Sequence, residues 1–121
     1  SAAKGGITAT NPSQWASFTR DIDAANNSTV VLVMDKTPSA FSSAAEANYF
    51  RAILSKYVEQ GKKVFVISCG STSYWTSTKD GVRYINLPDL WKADGTVNPN
   101  YKMLRFRVKD GAVTYEAVHI K

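Results

Sequence analysis

Side chains able to hold a proton, a metal ion or a covalent intermediate are few in this chain. His119 is its only histidine and Cys69 its only cysteine. His119 falls near the end of the last predicted strand, outside any motif, and reads as a surface or partly packed side chain rather than a ligand. Ser68, Ser71 and Ser73 cluster where a strand ends, but a Ser-His-Asp arrangement would have to recruit the distant His119, and no Gly-x-Ser-x-Gly elbow is present. Cys69 has no histidine beside it and reads as a buried structural thiol. A single cysteine also excludes an internal disulfide and a cysteine-based metal site. Gly70 lacks the GxxxxGK[ST] spacing of a phosphate-binding loop. Asp35, in MDKTP, is the carboxylate best placed for a hard cation, yet one carboxylate with neutral hydroxyl partners is thin coordination for magnesium or calcium. No cofactor is expected.

Large aromatics in polar segments supply a candidate binding surface instead. Tyr74 and Trp75 follow the second predicted strand, and Trp91 lies in a long connection. Such residues stack on sugar rings or anchor a protein partner. Asp80 and the neighbouring hydroxyls suit a saccharide. The competing reading folds these aromatics over the sheet as a lid on the core, with the hydroxyls as ordinary turn material.

The elements that must position these residues are written in the hydrophobic pattern. From Thr29 to Cys69 the chain reads TVVLVMD, a polar loop, about five turns of amphipathic helix, then KVFVISCG, the pattern of a βαβ unit in a covered parallel sheet. A first helix is predicted over Pro12 to Ala25, with Asn11 as cap, Gln14 completing a capping-box-like exchange, and Trp15, Phe18, Ile22 and Ala25 on its inner face. Asn26, Asn27 and Ser28 break it. Val30 to Met34 is apolar on both faces and so reads as a central strand, followed by a loop at its carboxyl end, where open α/β sheets place ligands. Ser43 and Glu46 have capping-box spacing for a second helix with Phe50, Ile53, Leu54, Tyr57 and Val58 inward; Gly61 closes it. After the strand from Lys63 to Ser68, STSYWTSTKDG reads as a hydroxyl-rich loop, Val82 to Leu87 as a strand and Pro88 to Asn100 as an irregular connection. Tyr101 to Val108 and Ala112 to Ile120 read as a hairpin turned at Asp110 and Gly111. Arg105 and Arg107 would lie across from Glu116 on its outer face. The fold class is therefore α/β, a βαβ unit in a short mixed sheet with two packed helices and a C-terminal antiparallel β-hairpin.

Composition agrees with a single domain. The chain has 121 residues, 44% of them apolar and 12% aromatic, enough for a modest core. Residues 1–10 are small and polar and read as a linker or tag remnant, leaving 11–121 as the domain. The net charge of +5 comes from scattered cations. Their densest cluster, Lys102, Arg105, Arg107 and Lys109, reads as a solvated face rather than a nucleic-acid track. No run of eighteen apolar residues and no signal-peptide pattern occurs, so membrane insertion is not expected.

The order of these segments resembles the C-terminal half of calcineurin-like metallophosphoesterases. The resemblance rests on QW at a helix start, a DI pair, VVLVM ending before a polar residue and TP, VFVIS with a glycine turn, and DGVRYINL. It covers most of the chain from Gln14 to Val118. In that family a histidine precedes the proline, and the later strand ends in Gly-His-x-His. Here Asp35 stands at the first position, and Gly70, Ser71, Thr72 and Ser73 cover the second in either alignment. The family's N-terminal half, with its Asp-x-His, Gly-Asp and Gly-Asn-His motifs, has no counterpart. A two-metal centre needs several imidazoles and carboxylates around ions about 3.5 to 4 Å apart. The resemblance therefore implies a degenerate, metal-free module with no catalytic residues. Such modules belong to large bacterial secreted or cell-surface proteins, including phosphodiester glycosidase-type proteins. Its implied role is structural, protein-interacting or carbohydrate-binding, with other domains of the parent protein or a cell-wall glycan as partner. The alternative is a residual metal-dependent phosphoesterase, or one completed in trans. Loss of the missing half would leave an open sheet edge, and a homodimer through that edge strand is a further expectation.

Overall fold

The computed structural model describes residues 1–24, 29–71 and 73–119. Its elements are α1 (Ile7–Thr10), α2 (Gln14–Ala24), β1 (Thr29–Met34), α3 (Ala44–Glu59), β2 (Lys63–Ser71), β3 (Trp75–Lys79), β4 (Val82–Pro88), β5 (Lys102–Lys109) and β6 (Ala112–His119), with one 3-10 turn over Pro38–Ala40. The expected α/β class, the βαβ unit and the C-terminal hairpin are all present. Ala25, Asn26, Asn27, Ser28, Thr72 and Ile120, which the sequence reading used, lie outside the described residues.

The principal sheet has the order β1-β2-β4-β3, with β1, β2 and β4 parallel and β3 antiparallel to β4. Alternation along each strand divides its side chains between two faces. On one face Val30, Val64, Val66, Val82 and Tyr84 meet Ile22 of α2 and Phe50, Leu54 and Tyr57 of α3. The inward residues of α3 recur at helical spacing, and Phe50 and Leu54 are closed off from solvent. Each buried side chain of that size contributes about 1.5–3 kcal/mol. The Ser43 hydroxyl accepts from the Glu46 N–H at 3.2 Å and starts the helix.

Phe65 of β2 points to the opposite face. There it meets Phe106 of β5 and Tyr115 of β6, with ring centroids 5.5 and 6.0 Å away. The β5–β6 hairpin is a separate two-stranded sheet, and Lys63 ties its turn down by donating to the Gly111 carbonyl at 3.3 Å. Arg105 and Arg107 reach Glu116 on its outer side at 3.4 and 3.7 Å, the cross-strand arrangement expected.

Four placements differ from the sequence reading. First, Val30 to Met34 is an edge strand rather than a central one, and its Val31 and Val33 are 44% and 73% exposed. Two-sided apolarity reports what a strand is able to bury, not what covers it here. Second, the stretch expected as a loop contains β3, because Asp80 and Gly81, with φ of 51° and 77°, make a hairpin turn into β4. Third, α2 starts at Gln14 because the Asn11 carboxamide accepts from Ser13 N–H and hydroxyl, holding a turn outside the helix.

Fourth, residues 1–10, read as a linker, pack on the domain: Ala2 and Ile7 are buried in the core. Gly5, with φ of 93°, holds a left-handed conformation and a Cβ there would strike the Ser42 hydroxyl, while one at Gly6 would displace the Glu46 carboxylate. Glu46 in turn accepts from Thr8 N–H at 2.7 Å and Trp15 Nε1 at 3.3 Å, so its side chain clasps this segment rather than closing a capping box. Among the described residues no helix is long and apolar enough to cross a membrane.

Candidate functional site

The carboxyl ends of the parallel strands β1, β2 and β4 open into a crevice of about 280 Å³, lined by Asp35, Lys36, Thr37, Cys69, Trp75 and Asn86 among others. This is where open α/β sheets bind ligands, because the connecting loops diverge there. A smaller pocket of about 120 Å³ adjoins it and shares Thr37 and Trp75. The indole of Trp75, half-buried against the core, therefore borders both spaces.

The floor is polar and satisfied. Ser68, 1% exposed, donates its hydroxyl to Asn86 Oδ1 at 2.9 Å, and Asn86 donates from Nδ2 to the Ser73 carbonyl at 3.0 Å. These bonds orient the Asn86 amide, as a buried polar group requires.

Asp35 stands at the rim with its carboxylate engaged, accepting from the Ala2 N–H at 2.6 Å and the Ser1 hydroxyl at 2.9 Å. Desolvation raises its pKa, but those bonds outweigh it and hold the carboxyl below its ordinary value of 3.8. The position that the resemblance matches to a metal ligand thus anchors the N-terminal segment. Gly70 and Ser71 end β2, where the register with β4 shifts between Cys69 and Ser71. Ser73 contributes its carbonyl to Asn86. Among the described residues, no three His, Cys, Asp or Glu side chains converge as a metal site would need.

Cys69 is exposed in the crevice, not buried as its apolar surroundings in sequence suggested, because it follows the last covered residue of β2. Partial burial of the thiol, together with the Asp89 carboxylate, raises its pKa above the ordinary 9.0 and leaves it a poor nucleophile near neutral pH. His119 lies on β6 with Nδ1 3.2 Å from the Tyr101 carbonyl.

The four candidate surface residues do not come together. Tyr74 lies under the Lys102 ammonium, 4.8 Å from ring centroid to Nζ. Asp80 is the exposed first turn residue of the β3–β4 hairpin. Trp91, 60% exposed, pairs with Val97 across a small antiparallel excursion held by the Asp94 side chain on Thr96. Of the four, Trp75 lines the crevice. Sequence reasoning missed Lys36, Arg51, Lys79 and Asn86, which reach the two spaces from different elements; the strand-end rule pointed toward Lys36 and Asn86, and no sequence signal pointed to Arg51 or Lys79.

Comparison of the chain with family models, with curated proteins and with solved structures finds no match in any of the three.

Proposed function

We propose that this chain is a non-catalytic, metallophosphoesterase-like module of a larger secreted or cell-surface protein, and that it works in protein interaction through the open edge of β1. One observation carries the reading: a strand with the composition of a central strand, TVVLVM, stands at the edge of its sheet. An edge strand offers a row of unpaired N–H and C=O groups, and natural edges are blunted by lysine, proline or a bulge. β1 contains neither lysine nor proline and pairs with β2 in unbroken register. Along it runs a groove of about 410 Å³ whose lining includes Ile7, Phe18, Leu32, Met34 and Phe50 and no acidic or basic side chain.

The occupant is a second copy of the chain. Antiparallel pairing centred on Leu32 keeps faces matched, setting Val31 against Val33 and Val30 against Met34. Asp35 then falls opposite Thr29, so no like charges meet despite the net charge of +5. The test is mass in solution: the native chain is expected at twice 13.3 kDa. Val33→Lys is expected as a folded monomer, since the 73% exposed Val33 contributes little to the core. A native monomer would sink the dimer. Metal-dependent hydrolysis of a generic phosphodiester by the isolated chain would overturn the non-catalytic part.

The position of Trp75 favours a second reading, saccharide binding in the crevice. An indole face beside amide and hydroxyl groups is the chemistry of sugar stacking. Cell-wall saccharides are expected to quench tryptophan fluorescence, and Trp75→Ala to abolish the response; quenching unchanged in that variant would remove the crevice from the reading.

A further inference from the structure

Among the described residues two cations beside the crevice have no carboxylate partner, and they extend the saccharide reading to a particular ligand class. Arg51 projects from α3 and Lys79 from the end of β3 into the pocket of about 120 Å³, whose walls include Thr37, Ser77 and Trp75 and whose floor includes Tyr84. Among the described residues the Arg51 guanidinium donates to a neutral acceptor, Asn48 Oδ1 at 3.4 Å. Asp80 lies close enough to act on the Tyr84 hydroxyl, as Arg51 does in the opposite sense, yet among the described residues it forms no ion pair with either cation.

We propose that this pocket binds the acidic group of an anionic saccharide, a sugar phosphate or uronate, whose ring lies on Trp75 in the adjoining crevice. Size permits it: a pocket of about 120 Å³ has room for several waters and so for a small oxyanion. Chemistry agrees as well. Guanidinium offers paired N–H donors in the geometry of an oxyanion, ammonium supplies a point charge, and Thr37 and Ser77 supply hydroxyl donors. Arg51 is half-buried, so an incoming anion meets a charge screened less than one in open water. Trp75 borders both spaces, so one ligand can stack on the indole while its acidic group enters the pocket.

The inference rests on the saccharide reading for the ring and stands alone for the anion. Calorimetric titration of the chain with inorganic phosphate, glucose and glucose 6-phosphate separates the two. Glucose 6-phosphate is expected to bind more tightly than phosphate, and both more tightly than glucose. Arg51→Gln and Lys79→Gln are each expected to weaken glucose 6-phosphate about tenfold, the loss of one charge-assisted hydrogen bond, and to leave glucose unchanged. Urea midpoints of the Arg51→Gln and Lys79→Gln chains equal to that of the native chain serve as the control that the fold is intact. Phosphate binding without any gain from the sugar supports the anion pocket and removes the saccharide. Glucose binding as tightly as glucose 6-phosphate, or affinity for phosphate unchanged in both variants, overturns the proposal.

Discussion

Two hairpins in this molecule have the same turn and different fates. The turn of β3–β4 is Asp80-Gly81 with φ of 51° and 77°; that of β5–β6 is Asp110-Gly111 with φ of 51° and 76°. Both pairs adopt the left-handed conformations that a two-residue hairpin demands. Yet β4 is inserted between β3 and β2 and is buried along most of its length, whereas among the described residues β5 and β6 pair only with each other. The turn sets which strands pair, and the side chains decide what the pair joins. β4 carries Val82, Tyr84 and Ile85, apolar toward both faces, so it is stable only inside a covered sheet. β5 alternates Leu104, Phe106 and Val108 with arginines, so one face is enough for it.

This contrast is open to attack from its strongest point. Ile85 is fully buried in β4, and Ile85→Ala is expected to cost about 2–5 kcal/mol in urea unfolding of the whole domain. Phe106→Ala removes ring contacts to Phe65 and Tyr115 and is expected to cost about 1 kcal/mol, with faster amide exchange confined to β5 and β6. Equal losses would mean that the second hairpin is as integral as the first.

The turns themselves separate next. A Cβ at Gly81 would lie 2.6 Å from Val58 Cγ1, while one at Gly111 meets nothing within 4 Å. Gly111→Ala is therefore expected to cost about 1 kcal/mol for its backbone conformation alone, and Gly81→Ala about 1–3 kcal/mol more for overpacking against α3. Urea midpoints of the two variants decide it; coincident midpoints would remove the packing difference.

A smaller effect concerns the helix-covered face that β4 helps to build, where Glu46 clasps the N-terminal segment. Desolvation raises the Glu46 pKa, but the hydrogen bonds from Thr8 and Trp15 outweigh it and hold the carboxyl below 4.5. A depressed carboxyl contributes stability above its unfolded value and loses it as pH falls through the folded one. Amide protection at Thr8 is therefore expected to fall as pH drops below about 4.5 in the native chain and to be low at every pH in Glu46→Ala. Protection unchanged on acidification would detach the clasp from Glu46.

The sequence disclosed what is periodic. The apolar runs of β1 and β2 and the inward stripe of α3 define the βαβ unit, and the alternation of β5 with Asp110-Gly111 defines its hairpin. β3 escaped because Trp75 to Lys79 is mostly hydroxyl-bearing, exposed sequence with little alternation to read, although the Asp-Gly pair after it was the same signal used at 110–111. The N-terminal segment escaped because Gly5 and Gly6 matter through close approach to Ser42 and Glu46 and Ala2 through its burial beside Asp35, and small residues carry no period. The crevice was half legible: the strand-end rule led to Asp35 and the reading of large aromatics in polar segments led to Trp75, whereas Arg51 and Lys79 converge only through the fold. The edge position of β1 was not legible in its own residues, since its composition describes a strand with neighbours on both sides; the resemblance alone led to the expectation of an open edge.

That last mismatch is the centre of the account, and amide exchange along β1 tests it most directly. A strand bonded only to β2 protects alternate amides and leaves the rest to water; a strand with a second neighbour protects every one. Residue-resolved hydrogen exchange on the native chain is predicted to find continuous slow exchange through Val30 to Met34, and an alternating pattern in Val33→Lys. An alternating pattern already in the native chain would contradict strand pairing at this edge.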